Sequence, residues 1–267
     1  FHKLVHELVE GHFPCRDLGS QPLTALAAPV HVDAHVYQIL GEGVPKSRIQ
    51  RAIQKGLTPL VGRDEELGLL RERWQLAKKG NGQVVVISGE AGIGKSRLIQ
   101  AFKAEVADEN YARIECHCSS YAQHSAWYPA IDYLQRRLAF TSDESAAYKL
   151  RKLEGLLDHY SLALQETVPF LASLLSLPLP EERYPPSSLT PEQQKQKTEE
   201  ALLALPLADA EHQPVCLIGE DLHWIDPSTL EYITQLIDRM ATARFLILLT
   251  CRTEFQPTWG KPPHLNE

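Results

Sequence analysis

The sequence lacks three features, each of which would define a class of protein. No apolar run approaches the roughly 20 residues that a membrane-spanning helix requires. The five cysteines form neither a Cys-x-x-Cys pair nor a disulfide framework. Basic residues are not in excess, because the formal net charge is −7. These absences argue against a membrane-spanning segment, a disulfide-stabilised secreted domain, and a broad surface for nucleic acid or anionic lipid.

We also expect no signal peptide, since Phe1-His2-Lys3-Leu4 is not a charged segment followed by an apolar one. It has no initiating methionine, so we expect an internal piece of a longer protein in the reducing cytosol. Cys116-His117-Cys118 lies in a strand-like run, where neighbouring side chains point to opposite faces, and no second ligand pair follows. We therefore expect no zinc site there.

What is present is enough for one α/β domain and an additional segment, with 267 residues of which 43% are hydrophobic. An apolar, β-branched run over residues 83–88 leads directly into a glycine-rich turn of the pattern Gly-x4-Gly-Lys-Ser. An amphipathic helix is predicted to follow, over Arg97 to Asp108. The turn consists of Gly89, Glu90, Ala91, Gly92, Ile93, Gly94, Lys95 and Ser96.

A strand, a glycine-rich turn and a helix in this order form a phosphate-binding loop. The glycines free the backbone so that its N–H groups can converge on one anion, at the positive end of the following helix. Lys95 would then reach the β- and γ-phosphates of a nucleotide, and the Ser96 hydroxyl suits Mg²⁺. Arg97 begins the helix beside them. The sequence therefore predicts a nucleotide site with Mg²⁺.

The rest of the chain alternates between strands and helices, which predicts a parallel sheet covered on both faces. A helix is expected after Leu60, and Thr190-Pro191 and Asp226-Pro227 have the composition of helix starts. Further strands are expected at Ala112–Ser119, Val215–Ile218 and Phe245–Cys251. The region from Trp127 to Leu179 is predicted to be helical, with leucine stripes that indicate core packing.

Two acidic residues and one arginine follow the later strands. Glu220 and Asp221 come shortly after the strand Val215–Ile218, and Arg252 follows the strand Phe245–Cys251. The carboxyl ends of parallel strands line the ligand crevice. We expect one acid to hold Mg²⁺ and the other to orient or deprotonate water, with Glu220 favoured for the metal and Asp221 for the water; the order stays open. Arg252 is expected to contact the γ-phosphate.

Four motifs in this order resemble the STAND-type signalling ATPases of the AAA+ superfamily, and especially the ATPase module that follows class III adenylyl/guanylate cyclase domains in bacterial regulators. They are LVGRDEEL (60–67), GEAGIGKS (89–96), EDLHWIDPSTL (220–230) and LLTCRTEF (248–255). The resemblance implies a P-loop NTPase fold, a doubly wound parallel sheet of order 5-1-4-3-2 with a helical insertion. It also implies ATP as ligand, a role as a slow, ATP-gated switch, and a place near adenine for Val61, Gly62 and Arg63.

The first segment, 1–43, resembles the end of a class III cyclase domain, a small α+β tail. A linker over 44–59 and the ATPase domain over 60–267 are expected to follow. The resemblance places the metal-binding aspartates of the cyclase before Phe1 and helical repeats after the ATPase module. The implied partners are these neighbouring cyclase and sensor domains, with self-association on ATP binding; no membrane or nucleic-acid partner is expected. This chain alone is expected to make no cyclic nucleotide.

Two alternatives remain open at this stage. One is adenylate or guanylate cyclase activity in the full-length parent, which a purine-nucleotide cyclisation assay would separate from an ATPase module. The other is an origin-recognition-like, DNA-associated ATPase, a class that shares the Val-Gly-Arg motif at the beginning of the ATPase domain. The acidic charge balance argues against it, and a salt-dependent DNA-binding titration would decide.

Overall fold

The computed structural model describes residues 15–24, 31–39 and 60–266, apart from positions 121, 124, 187, 258 and 261–263. The chain divides into two compact units, Phe1–Leu60 and Val61–Glu267. The apolar residues Leu4, Val5, Leu8 and Val9 predict a helix that ends near Gly11, but this segment and the linker expected over 44–59 lie outside the described residues.

The first unit contains an antiparallel pair of strands, β1 (Cys15–Thr24) and β2 (His31–Ile39). The sequence predicts a segment over Phe13–Leu18, a turn, and a strand-like run over Val30–Leu40; the structure extends the first segment as β1 to Thr24. The register shifts between Asp17 and Ser20, where Gly19 takes a positive φ of 71°. The glycine thus forms a bulge within the strand instead of ending it, because the partner strand supplies hydrogen bonds on both sides.

The second unit alternates strands and helices around one sheet. Its elements are α1 (Asp64–Lys78), β3 (Gln83–Ser88), α2 (Lys95–Glu105), β4 (Ala112–His117), α3 (Tyr128–Arg137), α4 (Ala146–His159), α5 (Leu164–Leu174), α6 (Pro191–His212), β5 (Val215–Glu220), a 3₁₀ turn (Leu222–Trp224), α7 (Pro227–Arg239), β6 (Phe245–Cys251) and β7 (Leu265–Asn266).

The sheet has the order β4-β5-β6-β3-β7, and all of its neighbouring strands are parallel. Counted along the chain from β3 and read from the β7 edge, this order is 5-1-4-3-2, as the family resemblance implies. The fold is therefore a doubly wound α/β fold of the P-loop NTPase type. The short strand β7 was not predicted, because two residues carry no periodic signal.

The two faces of the sheet are both covered. Val84, Leu217 and Leu249 belong to a core shared with α6 and α7. The residues between them along the strands, such as Val85 and Ile218, are equally buried and point to the opposite face. Helix α1 packs there on β3 and β6. This two-sided burial explains why β5 and β6 are apolar runs without alternation.

Helices α3 to α6 form the helical insertion between β4 and β5. Their leucine stripes build a second core, with Leu134, Leu153, Leu157 and Leu171 fully buried. Helix α6 begins at Pro191 as predicted: the Thr190 side chain accepts from Gln193 N while the Gln193 side chain accepts from Thr190 N. No helix in the described part of the chain combines the length and apolar character needed to cross a membrane.

Candidate nucleotide-binding site

The glycine-rich loop joins the carboxyl end of β3 to the start of α2. Gly92 and Gly94 have positive φ angles of 82° and 104°, and Gly94 is the N-cap of the helix. Side chains with a Cβ rarely adopt these angles, so both positions need glycine. The residues from Glu90 to Ile93 are exposed, and Ser96 and Arg97 lie half-buried in the first turn of α2. An open loop thus sits at the positive end of a helix.

Lys95 folds back across this loop. Its Nζ donates to the carbonyl oxygens of Gly89 and Glu90, at 2.6 and 2.9 Å. Both partners are neutral, so these bonds leave the charge of the ammonium group uncompensated. The loop therefore holds a localised positive charge beside its exposed backbone.

Arg63 connects the predicted adenine segment to the loop. Its Nη2 lies 3.4 Å from the carbonyl oxygen of Ile93, and its Nη1 donates to Glu66 Oε1 at 2.5 Å. Val61 is 84% exposed and Ile93 is 51% exposed, which is unusual for large aliphatic side chains. Arg63 thus contacts the loop, while Val61 and Ile93 present apolar surface to solvent.

Glu220 and Asp221 lie at the same end of the sheet as the loop. Strand β5 is separated from β3 by β6, and the register pairs Leu249 of β6 with both Gly219 and Val86. Glu220 belongs to β5 and is only 4% exposed, although the predicted strand ended at Ile218. Asp221 is exposed and has a positive φ of 61°. The two acids therefore meet different environments.

Two residues that sequence reasoning did not assign to the site lie close to these acids. His117, at the end of β4, has Nδ1 at 3.7 Å from Glu220 Oε1. Thr250 Oγ1 accepts a hydrogen bond from the backbone N–H of Asp221 at 3.0 Å. A single threonine in the otherwise apolar strand Phe245–Cys251 was a signal for such a role, because a buried hydroxyl needs a partner.

Arg252 leaves β6 beside the 3₁₀ turn that follows Asp221. Its guanidinium carbon lies 5.9 Å from the centre of the Trp224 ring, and its Nη1 is 3.8 Å from Glu254 Oε1. The next residue, Thr253, donates its hydroxyl to Glu90 Oε1 at 3.2 Å. The segment after β6 is therefore in direct contact with the glycine-rich loop.

The pKa of His223 is affected by several charged residues around the candidate site. Partial burial lowers its pKa, and the positive charges of Arg252 and Lys95 lower it further, while Asp221 and Glu254 act in the opposite direction. These four residues come from three separate segments of the sequence. The fold thus brings Lys95, Asp221 and Arg252 within electrostatic reach of one imidazole ring.

The Cys116-His117-Cys118 run separates its side chains as expected for a strand. Cys116 and Cys118 face apolar residues of α3 and α6, while His117 faces Glu220. Burial raises the pKa of Cys116 to about 12, so it stays a neutral thiol at physiological pH. Within the described residues, no three His, Cys, Asp or Glu side chains are grouped so that they could hold a metal ion.

A family model described as the AAA ATPase domain matches residues 59–249, which is most of the chain. The chain belongs to the AAA ATPase domain family. The match spans the glycine-rich loop, the helical insertion, Glu220 and Asp221. Membership of this AAA ATPase family implies nucleotide binding and supports ATP hydrolysis in general terms.

Among curated proteins, the AAA ATPase domain resembles an uncharacterized protein of Rhizobium meliloti (strain 1021), at 26% identity over 246 residues. The alignment covers 90% of this chain but 22% of that protein, so the chain spans about a fifth of the length of its relative.

Two solved structures share low identity with this AAA ATPase domain. Cdc6p from Pyrobaculum aerophilum has 12% identity and a TM-score of 0.38, with 74% of this chain and 40% of Cdc6p covered. PCH-2 from C. elegans has 10% identity and a TM-score of 0.31, with 95% of this chain and 62% of PCH-2 covered.

Proposed function

We propose that this AAA ATPase domain is a Mg²⁺-ATP-binding and slowly hydrolysing regulatory module of a bacterial signalling protein. The observation that carries the proposal is the state of Lys95. Its ammonium group is held by two neutral carbonyl oxygens in an open, glycine-rich loop at a helix N-terminus. A polyphosphate can replace those carbonyls and gain a charge-assisted hydrogen bond.

The nucleotide base would lie against Val61, Gly62 and Arg63. Val61 and Ile93 both offer exposed apolar surface, and Arg63 contacts the backbone oxygen of Ile93. A planar adenine would remove this surface from water, which is favourable. Triphosphate and base would then bind to adjacent parts of one unit.

The donor set next to the loop fits Mg²⁺, which prefers hard oxygen ligands. The Ser96 hydroxyl in the first turn of α2 and the buried Glu220 carboxylate would hold it. When bound, Mg²⁺ neutralises charge on the phosphate oxygens. The placement of Ser96 at the amino end of α2 and of Glu220 one strand beyond β6 supports this assignment.

Asp221 would orient or deprotonate the water that attacks the terminal phosphate. It is exposed at the end of β5, whereas Glu220 is buried, and this difference supports separate roles. Arg252 would contact the terminal phosphate, since it follows β6 at the same end of the sheet. Hydrolysis would remove the terminal phosphate and with it a partner of Arg252. The contacts of Arg252 would then depend on which nucleotide is bound.

The switch role and the partner domains rest on the sequence resemblance. The chain corresponds to about a fifth of a bacterial relative, which supports a module within a longer protein. The partners would be a preceding cyclase domain and following helical-repeat sensor domains, and ATP binding would promote self-association. Slow turnover is the behaviour we expect of a switch whose bound nucleotide sets its state.

Single-turnover ATP hydrolysis with protein in excess over ATP tests the proposal. This format measures one round of hydrolysis, so it can be used even if repeated turnover is slow. Asp221→Asn keeps the size of the side chain but removes its charge. We expect ATP affinity within about threefold of wild type and hydrolysis lowered about 10²-fold, the usual scale for removing a general base. Glu220→Gln is expected to weaken the Mg²⁺ dependence of ATP binding.

Asp238→Asn, at an exposed carboxylate on α7, is the matched control and should hydrolyse ATP like wild type. Exchanged phenotypes for Asp221→Asn and Glu220→Gln would reverse the two roles but keep both acids in the site. If neither variant changes hydrolysis or Mg²⁺ dependence, the assignment of these acids to the site is wrong.

A further inference from the structure

A polar cleft with a volume of about 420 Å³ opens at the outer edge of the sheet, beside β4. We call it the edge cleft; its lining includes Arg113, Tyr133, Arg136, Arg137, Tyr160 and Asp209. It lies near the beginning of β4, where Ala112 pairs with Val215, the first residue of β5. The glycine-rich loop follows the other end of the parallel strands, so the two sites lie at opposite ends of the sheet.

The floor of the edge cleft is a neutralised ion pair. Arg137 donates to Asp209 through both terminal nitrogens, with Nη1 to Oδ2 at 2.5 Å and Nη2 to Oδ1 at 2.9 Å. Tyr160 donates its hydroxyl to the same carboxylate. Asp209 is 1% exposed, so its negative charge is both compensated and shielded from the cleft.

The mouth of the edge cleft carries two arginines, each beside a carboxylate. The side chains of Arg113 and Arg136 are 50% and 42% exposed. Arg113 Nε lies 2.9 Å from Glu115 Oε1, but Glu115 is only 16% exposed and also pairs with Lys103. Arg136 binds Asp132 through Nε and Nη2, and Nη2 also donates to the backbone oxygen of Glu115 at 2.6 Å, which leaves Nη1 outside these contacts. Since a guanidinium has five N–H donors, both arginines keep donors for a further partner.

Tyr133 adds a neutral donor. Its hydroxyl oxygen accepts from Arg137 Nη1 at 2.6 Å, and arginine can only donate, so the hydroxyl hydrogen is not used in that bond. Burial raises the pKa of Tyr133 to about 12, which keeps the proton on the oxygen at neutral pH. Arg137 also lies over the Tyr133 and Tyr160 rings, at 5.9 and 5.4 Å from their centres, which fixes the rings in place.

The edge cleft therefore presents unused guanidinium donors at its mouth. It also has a small excess of positive charge there, because three cations, Arg113, Arg136 and Lys103, pair with the two carboxylates of Glu115 and Asp132. Guanidinium groups match the planar, two-oxygen geometry of carboxylates and phosphates. We propose that the edge cleft binds a small organic anion, whose phosphate or carboxylate group is held by Arg113, Arg136 and the hydroxyl of Tyr133. The site is independent of the nucleotide site and of the function proposed for it.

A ligand-observed NMR titration tests the proposal with three probes that share one ring: phenyl phosphate, benzoate and the neutral benzamide. It is run on wild type and on Lys95→Ala, because phenyl phosphate can also bind to the glycine-rich loop. We expect one of the two anions to bind both proteins equally, with a dissociation constant on the order of 1 mM for a compound of this size. Benzamide should not bind. Whether phenyl phosphate or benzoate binds more tightly shows whether the cleft recognises a phosphate or a carboxylate group.

The double variant Arg113→Gln/Arg136→Gln should weaken that binding about tenfold, because it removes the charge-assisted hydrogen bonds. Arg71→Gln/Arg183→Gln is the matched control, since these side chains are 55% and 56% exposed and ion-paired elsewhere. Tyr133→Phe removes only the hydroxyl and keeps the ring that packs in the cleft, so it should weaken binding a few-fold. Binding that disappears in Lys95→Ala, binding equal in both double variants, or no binding of either anion would overturn the proposal.

Discussion

The hydroxyl of Thr250 holds the backbone of Asp221 through a 3.0 Å hydrogen bond between neighbouring strands. Thr250 is 1% exposed, so the bond is anchored in the core of the sheet. Asp221 takes a left-handed conformation with φ 61°, which is unfavourable for a residue with a Cβ. The bond compensates for part of that cost and fixes the direction in which the aspartate leaves β5.

Thr250→Val tests whether this bond positions Asp221 for catalysis. Valine has nearly the same shape but no acceptor, so a loss of about 1–2 kcal/mol of unfolding free energy is expected. We expect single-turnover hydrolysis to fall about tenfold while ATP affinity stays close to wild type, because misplacement of a water-directing group affects the transition state most. Thr234→Val on α7 is the control, where the hydroxyl only bonds the Leu230 carbonyl. Wild-type hydrolysis in Thr250→Val would show that the bond is structural only.

Two glycine-to-alanine substitutions should have opposite effects on stability. A Cβ at Gly82 would lie 2.1 Å from the backbone oxygen of Met240, so Gly82→Ala must displace the chain and should be strongly destabilising. Gly155 lies within α4 with open space around it, so Gly155→Ala should stabilise by about 0.5–1 kcal/mol. Chemical denaturation measures both, and a stable Gly82→Ala variant would contradict the close approach of these two loops.

The ion pair between α1 and α2 predicts a pH dependence of stability. Arg71 donates to Glu105 through Nε at 2.6 Å and Nη2 at 2.7 Å, and this bonding lowers the pKa of Glu105. A carboxylate with a lowered pKa in the folded state stabilises the fold above its unfolded pKa, and this stabilisation is lost as the pH falls through the folded value.

Glu105→Gln should therefore be less stable than wild type at pH 7, and the difference should shrink as the pH falls below about 4. Thermal denaturation over this pH range measures it, with Glu72→Gln as an exposed control on α1. A difference that stays constant from pH 7 to acid would show that the pair does not act through the charge of Glu105.

Local signals made much of the fold predictable. Asp226-Pro227 predicted a helix start, and Asp226 Oδ1 does accept a hydrogen bond from Thr229 N at 3.0 Å. Thr190-Pro191 predicted the start of α6 in the same way. Both predictions held because a cap depends on residues within one turn of each other.

The positioning contacts of the candidate site were not predictable in this way. The approach of His117 to Glu220 and the bond from Asp221 to Thr250 both depend on which strands become neighbours and in which register. That information is not contained in any single segment of the sequence. Strand β5 extends to Glu220, beyond the predicted end at Ile218, for the same reason: its pairing with β4 continues as far as His117.

The central claim is that the glycine-rich loop binds Mg²⁺-ATP through Lys95, and the thermal shift produced by the nucleotide tests it most directly. Binding to the folded state raises the melting temperature by mass action, by about 5 °C or more at ATP a hundredfold above its dissociation constant. We predict this shift for wild type and for Lys79→Ala, which removes an exposed lysine after α1. Lys95→Ala should lose most of it, and equal shifts for wild type and Lys95→Ala would contradict the account.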